Sequence, residues 1–457
     1  MIPLTLAEVA EVVGGTVHGD AATLVTGAAY VDTRAPVEGG LFVAVVGERV
    51  DGHDFAADAP AVLGSRPTAA PTVVVEDPVV ALGRLGRHVV DELAPVVVAL
   101  TGSQGKTGTK DFVAHVLAAA GDTVSTRGNH NNEIGVPLTV LEADQDTRFL
   151  VVEMGARGVG HIRELCEVAP PSVAGVLNVG TAHLSEFGSR ERIALAKGEI
   201  VEALRADGTA VLNADDELVA AMAERTDAAT LTFGATGDVR WHDVRLDDLG
   251  RPSFVLEHAG ERRPVALTQT GSHQVANAAA AAALALASGL DLDTVADRLA
   301  SARPASRWRM ELHERADGVV VVNDAYNANP ASMSAALEAL AAIASRRSGR
   351  SVAVLGEMLE LGTDTEPAHL GLGKEAAEAG VDVLVTVGEQ ARLIARGAGQ
   401  VSEWRGRAVV TAGRDEALEW VRNNVAAGDV VLVKASRGAA LEHVADGLLS
   451  DEGGPSR

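Results

Sequence analysis

A single cysteine, Cys166, stands in a chain of 457 residues, which excludes intrachain disulfides and any zinc site built from cysteines. Lysine is nearly as scarce, with only Lys106, Lys110, Lys197, Lys374 and Lys434 present. Lysine and arginine together number 39 against 63 acidic residues, and the formal net charge is -24. Nucleic acids and anionic membranes both require clustered basic side chains, so the expected partners are small molecules, with no nucleic acid and no stable membrane insertion. Long apolar runs are missing too: Ala278 to Ala287 is too short and too alanine-rich to cross a bilayer and reads as a packed helix. Met1 to Gly15 carries Glu8 and Glu11 and lacks both a basic n-region and a small-residue cleavage site, so no secretory signal is expected. Together with the lone cysteine, this points to the cytoplasm.

What is present is a soluble-globular composition, 47% hydrophobic and 22% charged, on a chain too long for one ordinary core. Two or three α/β domains are therefore expected, with a polar tail after Asp451. The first ninety or so residues mix short apolar runs, Leu41 to Val46 and Thr72 to Val75, with Gly and Pro punctuation, which suits a small α/β unit ended by Pro95. Buried-strand patterns follow at Val96 to Leu100, Phe149 to Val152, Val173 to Asn178 and Thr209 to Leu212, with helical stretches between them. That alternation predicts a mostly parallel central sheet flanked by helices. An alanine-rich helix is expected over Ala276 to Ser288. A third set of strands, Val319 to Asn323, Val352 to Leu355, Val383 to Val387 and Val430 to Lys434, follows a boundary near Arg303 to Arg309. The expected divisions are 1–95, 96–306 and 307–457.

The sharpest motif is Thr101-Gly102-Ser103-Gln104-Gly105-Lys106-Thr107, set between a buried strand and a helical run from Thr107 to Ala120. Backbone N–H groups of such a loop, with the helix N-terminus behind them, surround phosphate oxygens. Lys106 supplies a point charge for the β- and γ-phosphates, and the Thr107 hydroxyl suits Mg²⁺. Leu100 stands where the standard loop has its first glycine, so this is a shortened G-x-x-G-K-T form. ATP is the expected nucleotide. Glu153 ends one apolar strand and His183 follows another, so both are expected at the carboxyl edge of the sheet, where ligands bind. A solvated loop carboxylate and a satisfied structural histidine are the plainer readings. His273 and Asn277, four apart, share a helix face if the helix starts near Ser272, and there they can address nucleotide. Helix capping by Ser272 or His273 is the alternative.

The loop resembles the T-G-[ST]-x-G-K-[ST] signature of Mur ligases, and further matches follow in order across nearly the whole chain. They are Asn129 to Pro137, Glu153-Met154-Gly155-Ala156, Asn178 to His183, Ala196-Lys197-Gly198-Glu199, Gly271-Ser272-His273 with Asn277, and Asp324 to Pro330. The resemblance implies three domains: an N-terminal one holding a UDP-sugar, a central ATPase and a C-terminal Rossmann-like domain that closes over the site. It also implies a reaction in which a substrate carboxylate attacks the γ-phosphate of ATP, giving an acyl phosphate that an incoming amine displaces, with ADP and phosphate released. Carboxylate and triphosphate repel, so such a site needs metal ions and positioned cations.

By resemblance Glu153 and His183 are Mg²⁺ ligands, and Lys197 is carbamylated, which turns a cation into a carboxylate-like group able to hold a second Mg²⁺. Carbamylation requires a neutral amine, so Lys197 should be desolvated; otherwise it is a surface lysine. Arg309 and Asp324 match positions that contact phosphate and ribose, against ordinary surface ion pairing. Lys434-Ala435-Ser436-Arg437 suits a functional or a structural part equally. Asp32-Thr33-Arg34, Gly39 to Ala44, Gly47-Glu48-Arg49 and Asp51 to Phe55 resemble the UDP-muramoyl segment, with Arg34 on the diphosphate and Thr33 on a phosphate or uracil oxygen. Asp51 and Gly52 read equally well as turn residues. Asn131 and Asn132 are expected to orient the muramoyl-peptide side, against a plain loop role.

Within the family, Asp324-Ala325-Tyr326-Asn327-Ala328-Asn329-Pro330 resembles the segment of the branch that adds D-alanyl-D-alanine to UDP-N-acetylmuramoyl-tripeptide, and Gly356 to Gly362 fits the same branch. The Asp-Asn-Pro-Arg motif of the diamino-acid-adding branch is missing. Tyr326, Asn327 and Asn329 are the expected contacts to the incoming dipeptide, and Ala325 replaces the usual serine there, putting one hydroxyl contact in question. Tyr326 as a packing aromatic and Asn329-Pro330 as a turn are the plainer readings. Rival functions are a diamino-acid-adding or folylpolyglutamate-type ligase, and a nucleotide-hydrolysing switch, for which no partner surface is evident. A monomer is expected.

Overall fold

A computed structural model of the chain describes residues 1–457 apart from 48–49, 129, 181–186 and 451–457. The chain divides into two compact units, one comprising residues 1–180, 189–240 and 279–295, the other 181–188, 241–278 and 296–457.

In the first unit, the N-terminal segment opens with helix Leu6–Val13, started by a capping box between Thr5 and Glu8 and stopped by Gly14 in the left-handed conformation. Strands Thr16–His18, Thr72–Val74, Ala61–Gly64, Leu41–Val43 and Ala29–Tyr30 form a sheet in that spatial order, parallel apart from its first pair. Of the apolar run Leu41 to Val46 only Leu41–Val43 is strand, because the chain folds back through hydrogen bonds from the Val45 N–H to Val43 and the Gly52 N–H to Val45. Helix Pro78–Leu93 begins on Asp77, whose carboxylate accepts the N–H groups of Val79 and Val80. It ends just before Pro95, where the sequence expected a break.

The rest of this unit is built on parallel strands in the order Ala229–Phe233, Thr209–Asn213, Val173–Val176, Val96–Thr101, Thr147–Glu153 and Asp122–Ser125. Val97 to Leu100 and Phe149 to Val152 are buried without alternation, as parallel strands covered on both faces require. Register pairs Leu100 with Glu153 and Thr101 with Val176, so the three central strands end level and release their following loops on one edge. Helix Lys106–Leu117 follows directly.

The second unit contains a sheet in the order Glu311–Glu314, Val320–Asp324, Val430–Lys434, Ser351–Leu355, Val383–Val387 and Arg407–Thr411, parallel except for its first pair. Alternate residues feed two cores: Val320, Val322, Ala353, Leu355, Val430 and Leu432 on one face, Val319, Val321, Val352, Val354, Val431 and Val433 on the other. Helices Pro330–Ala344 and Thr365–Glu378 cover the first face, Arg414–Asn424 and Glu442–Leu449 the second. Such a doubly wound α/β layer places ligands at the carboxyl ends of its strands. Asp324 and Lys434 are the last residues of two paired strands there, in register with each other.

Candidate functional site

The phosphate loop occupies the carboxyl edge of strand Val96–Thr101. Gly105 takes φ +77° and starts helix Lys106–Leu117 with no side-chain cap, so the first helical N–H groups point out of the loop as an anion cradle. Gly102 is needed because a Cβ there would approach within 2.9 Å of Leu177. The loop is held from behind by Asn178, whose Oδ1 accepts the N–H groups of Ser103 at 3.0 Å and Gln104 at 2.9 Å, while the Ser103 hydroxyl accepts the Gly180 N–H at 2.9 Å. The Lys106 ammonium donates to the Gly102 carbonyl at 2.7 Å, folded over the cradle. A strand, a preformed ring of donors and a cation are thus assembled in one place.

Beside it, the Thr107 hydroxyl donates to Oε2 of Glu153 at 2.9 Å, and the Asn131 amide donates to Oε1 at 2.7 Å. Glu153 is buried at 1% exposure, its backbone N–H held by the Thr126 hydroxyl at 3.1 Å. Glu153 is therefore no solvated loop charge. A hydroxyl and a carboxylate in contact, both hard oxygen donors, suit Mg²⁺. Among the described residues no three His, Cys, Asp or Glu side chains group as a metal site; His183, the third expected ligand, lies outside the described residues. Asn132 turns the other way, its side-chain oxygen accepting the Gly135 N–H at 2.9 Å within its own loop.

Lys197 lies in helix Arg190–Glu202 and is buried, against the surface-lysine reading. Burial first, and then the neighbouring Lys106 ammonium, push its amine well below the usual lysine range, with Glu153 pulling the other way. Lys106, Glu153 and Lys197 are thus brought within electrostatic reach of one another. An amine that loses its proton readily is what carbamylation by CO₂ requires.

In the N-terminal segment Thr33 is half-buried and Arg34 exposed. Arg34 forks onto Asp32 at 2.7 Å, and these hydrogen bonds lower the Asp32 carboxyl to about 2. Asp51 has the turn role: it accepts the His53 N–H at 2.9 Å and pairs with His53 Nδ1 at 2.6 Å, while Nε2 of His53 accepts the Ser65 N–H at 2.9 Å. Gly52 closes against Val45, where a Cβ would meet backbone at 2.8 Å.

In the second unit, Asp324 accepts the Met310 N–H at 3.0 Å and the Lys434 ammonium at 2.5 Å, and Lys434 also reaches the Asn327 carbonyl at 2.9 Å. Asp324 is therefore paired inside the fold and not on the surface. Arg309 lies over the Tyr326 ring, 4.1 Å from its centroid, so the aromatic carries a cation. Asn329 caps helix Pro330–Ala344 through the Ser332 N–H, whereas Asn327 is exposed. Ala325 is fully buried in the apolar cluster with Val319 and Val321. Ser436 accepts the Leu359 N–H at 2.9 Å, joining the segment after strand Val430–Lys434 to the 356–362 segment. Helix Gln274–Ala287 starts two residues before the expected Ala276 and two after Ser272, so His273 precedes it and Asn277 lies in its first turn, bonded to Gln274. Burial lowers the His273 imidazole, Asp324 opposing and Lys434 reinforcing that shift.

Two family models match, the Mur ligase middle domain over residues 100–285 and the Mur ligase glutamate ligase domain over residues 308–437. The UDP-N-acetylmuramoyl-tripeptide–D-alanyl-D-alanine ligase of Mycobacterium tuberculosis is 45% identical, with 99% of each chain covered. The chain belongs to the Mur ligase family. Among solved structures, MurF from Acinetobacter baumannii superposes with a TM-score of 0.87 at 32% identity, covering 98% of this chain and 99% of that one. MurF from Thermotoga maritima in complex with ADP gives 0.80 at 32% identity, covering 94% and 98%.

Three residues of this Mur ligase were not singled out from the sequence as site residues although they shape the site. Asn178 braces the phosphate loop, Lys110 donates to the Thr126 carbonyl at 2.6 Å behind Glu153, and Glu199 fastens a neighbouring helix. Lys110 had one signal, its position one helical turn after Lys106 on the same face. Asn178 and Glu199 stand inside the quoted Asn178 to His183 and Ala-Lys-Gly-Glu segments, but their partners Ser103 and Gly160 lie 75 and 39 positions away, which those segments do not announce.

Proposed function

We propose that the chain joins D-alanyl-D-alanine to UDP-N-acetylmuramoyl-tripeptide, consuming ATP and releasing ADP and phosphate, in the synthesis of the peptidoglycan precursor. The observation that carries this reading is the contact of Thr107 with Glu153 beside the Lys106 cradle, in a family whose relatives along the full chain bear that activity in their names. The tripeptide carboxylate attacks the γ-phosphorus of ATP, ADP leaves, and the dipeptide amine displaces phosphate from the resulting acyl phosphate. Lys106 stabilises the charge gathering on the γ-phosphate, and Gly102, Ser103 and Gly105 supply the surrounding loop.

Thr107, Glu153, His183 and Lys197 are the proposed metal-binding positions, and bound Mg²⁺ would offset the repulsion between triphosphate and carboxylate. Lys197 is proposed to carry a carbamate; its burial and depressed amine support this, because CO₂ adds to the free base. His273, Asn277, Arg309 and Asp324 are assigned to nucleotide, Thr33, Arg34, Asn131 and Asn132 to the UDP-muramoyl substrate, and Tyr326, Asn327 and Asn329 to the dipeptide. Functionally the chain falls into 1–95, 96–306 and 307–457. Among the described residues no helix is long and apolar enough to cross a membrane, and we place the enzyme in the cytoplasm as a monomer.

The test is a matrix of UDP-muramoyl-peptides against D-Ala-D-Ala, L-Lys, diaminopimelate and D-Glu, recording ADP formation and product mass. Incorporation of D-Ala-D-Ala far above every single amino acid is expected. Preference for diaminopimelate or D-Glu overturns the assignment, and ATP hydrolysis without acceptor or amine dependence would favour the switch.

A further inference from the structure

Helix Arg190–Glu202 is buried through most of its middle: Ile193, Ala194 and Ala196 to Val201 are buried, with Leu195 exposed between them. Lys197 and Glu199 stand two residues apart, about 200° around the helix axis, and so face opposite ways. Lys197 lies within electrostatic reach of Lys106 and Glu153. Glu199, 1% exposed, accepts the Gly160 N–H on Oε1 at 2.5 Å and the Arg163 N–H on Oε2 at 3.1 Å. Gly160 is the N-cap of helix His161–Val168 and, at φ +97°, supplies no side-chain cap of its own. Glu199 therefore caps that helix from another one, its negative charge set against the positive end of the helix dipole.

The helix so captured lies at the far end of the short link that leaves Glu153. Near its start, the Gly155 N–H donates to the Asn131 carbonyl at 2.8 Å, and the same Asn131 holds Oε1 of Glu153 with its amide. At its end Gly160 is held by Glu199. One residue thus ties the Lys197 helix to the segment carrying Glu153.

We infer that Glu199 is a positioning residue that sets the spacing between Glu153 and Lys197, the two described carboxylate-type metal positions of the site. The inference rests on the proposed carbamate at Lys197. A purely structural cap would move stability alone; a spacer between two ligand-bearing elements also moves metal affinity. Groups that orient metal ligands change affinity by roughly 10–100-fold when removed.

The experiment is Mn²⁺ binding, followed by electron paramagnetic resonance in the presence of a non-hydrolysable ATP analogue, on the full chain and on the Glu199→Gln and Glu199→Asp variants. Carbon-13 carbonate is added to report the carbamate by NMR, and urea midpoints are recorded alongside. In the parent, two bound ions and a carbamate signal are expected. In Glu199→Gln, whose amide nitrogen opposes one of the two N–H groups, the weaker ion should bind roughly tenfold or more weakly. Glu199→Asp keeps the charge and should recover part of that loss. Unchanged Mn²⁺ affinity in folded Glu199→Gln overturns the inference, as does a Glu199→Asp variant weaker than Glu199→Gln. A parent that binds one ion and shows no carbamate overturns the underlying reading instead, and the inference with it.

Discussion

The Thr107 hydroxyl and the Glu153 carboxylate meet at 2.9 Å, joining the first turn of the phosphate-loop helix to the end of the adjacent parallel strand. Both are buried, and the second carboxylate oxygen is held by Asn131. Replacing Glu153 by Ala should weaken Mg²⁺ dependence at least roughly tenfold while leaving the fold intact. Lys106→Ala, which removes the cation over the cradle, should lower turnover about 10²–10³-fold. Steady-state kinetics across a Mg²⁺ series measures both, and near-normal turnover in a folded Lys106→Ala protein would show that the cradle is no γ-phosphate site.

Lys197→Ala should be nearly inactive. What the variant lacks, on the carbamate reading, is a carboxylate and not an ammonium, so added short-chain carboxylic acids should restore part of the activity and added amines should not. Rescue by amines alone would make Lys197 an ordinary cation.

Asp429 gives a clean pH dependence. Burial raises its carboxyl, but hydrogen bonds from the Arg350 guanidinium and from the Ala426 and Arg350 N–H groups outweigh this and leave it below the usual aspartate range. The folded state thus binds its proton less readily than the unfolded chain. Its contribution is fully present above about pH 4, the unfolded aspartate value, and is lost as pH falls through the folded one. Asp429→Ala should cost about 1–3 kcal/mol at pH 7, and the difference from the parent in urea midpoint should shrink on acidification. A difference that stays constant down to pH 3 contradicts the pairing.

Cys166 should be inert in the native state. Its thiol is buried at 4% exposure and pushed up to about 12, by burial first and then by Glu199 and Glu167. Labelling by a thiol reagent at pH 8 should be slow without denaturant and fast in urea. Rapid native labelling would require an opening of helix His161–Val168.

Much of this was legible in the chain itself, for reasons that are local. Val96 to Leu100 and Val430 to Lys434 are uninterrupted apolar runs, which parallel strands covered on both faces demand, and both appear as strands within a residue of the expected limits. Gly105-Lys106-Thr107 encodes its own turn, cation and helix start within three residues. The apolar run Leu41 to Val46 does not show that its strand ends at Val43, because hydropathy cannot register the backbone hydrogen bonds by which Val45 and Gly52 turn the chain.

Tertiary structure alone decided the remainder. Asn178 reaches Ser103 across 75 positions, and Lys434 reaches Asp324 across 110. Parallel strands must be joined by crossovers, so residues that meet on one sheet edge are far apart in sequence, and no spacing announces them. The state of Lys197 follows the same rule: the sequence by itself determined that a lysine stands in Ala-Lys-Gly-Glu, but only packing determined its burial beside Lys106, and burial is what makes its amine give up a proton.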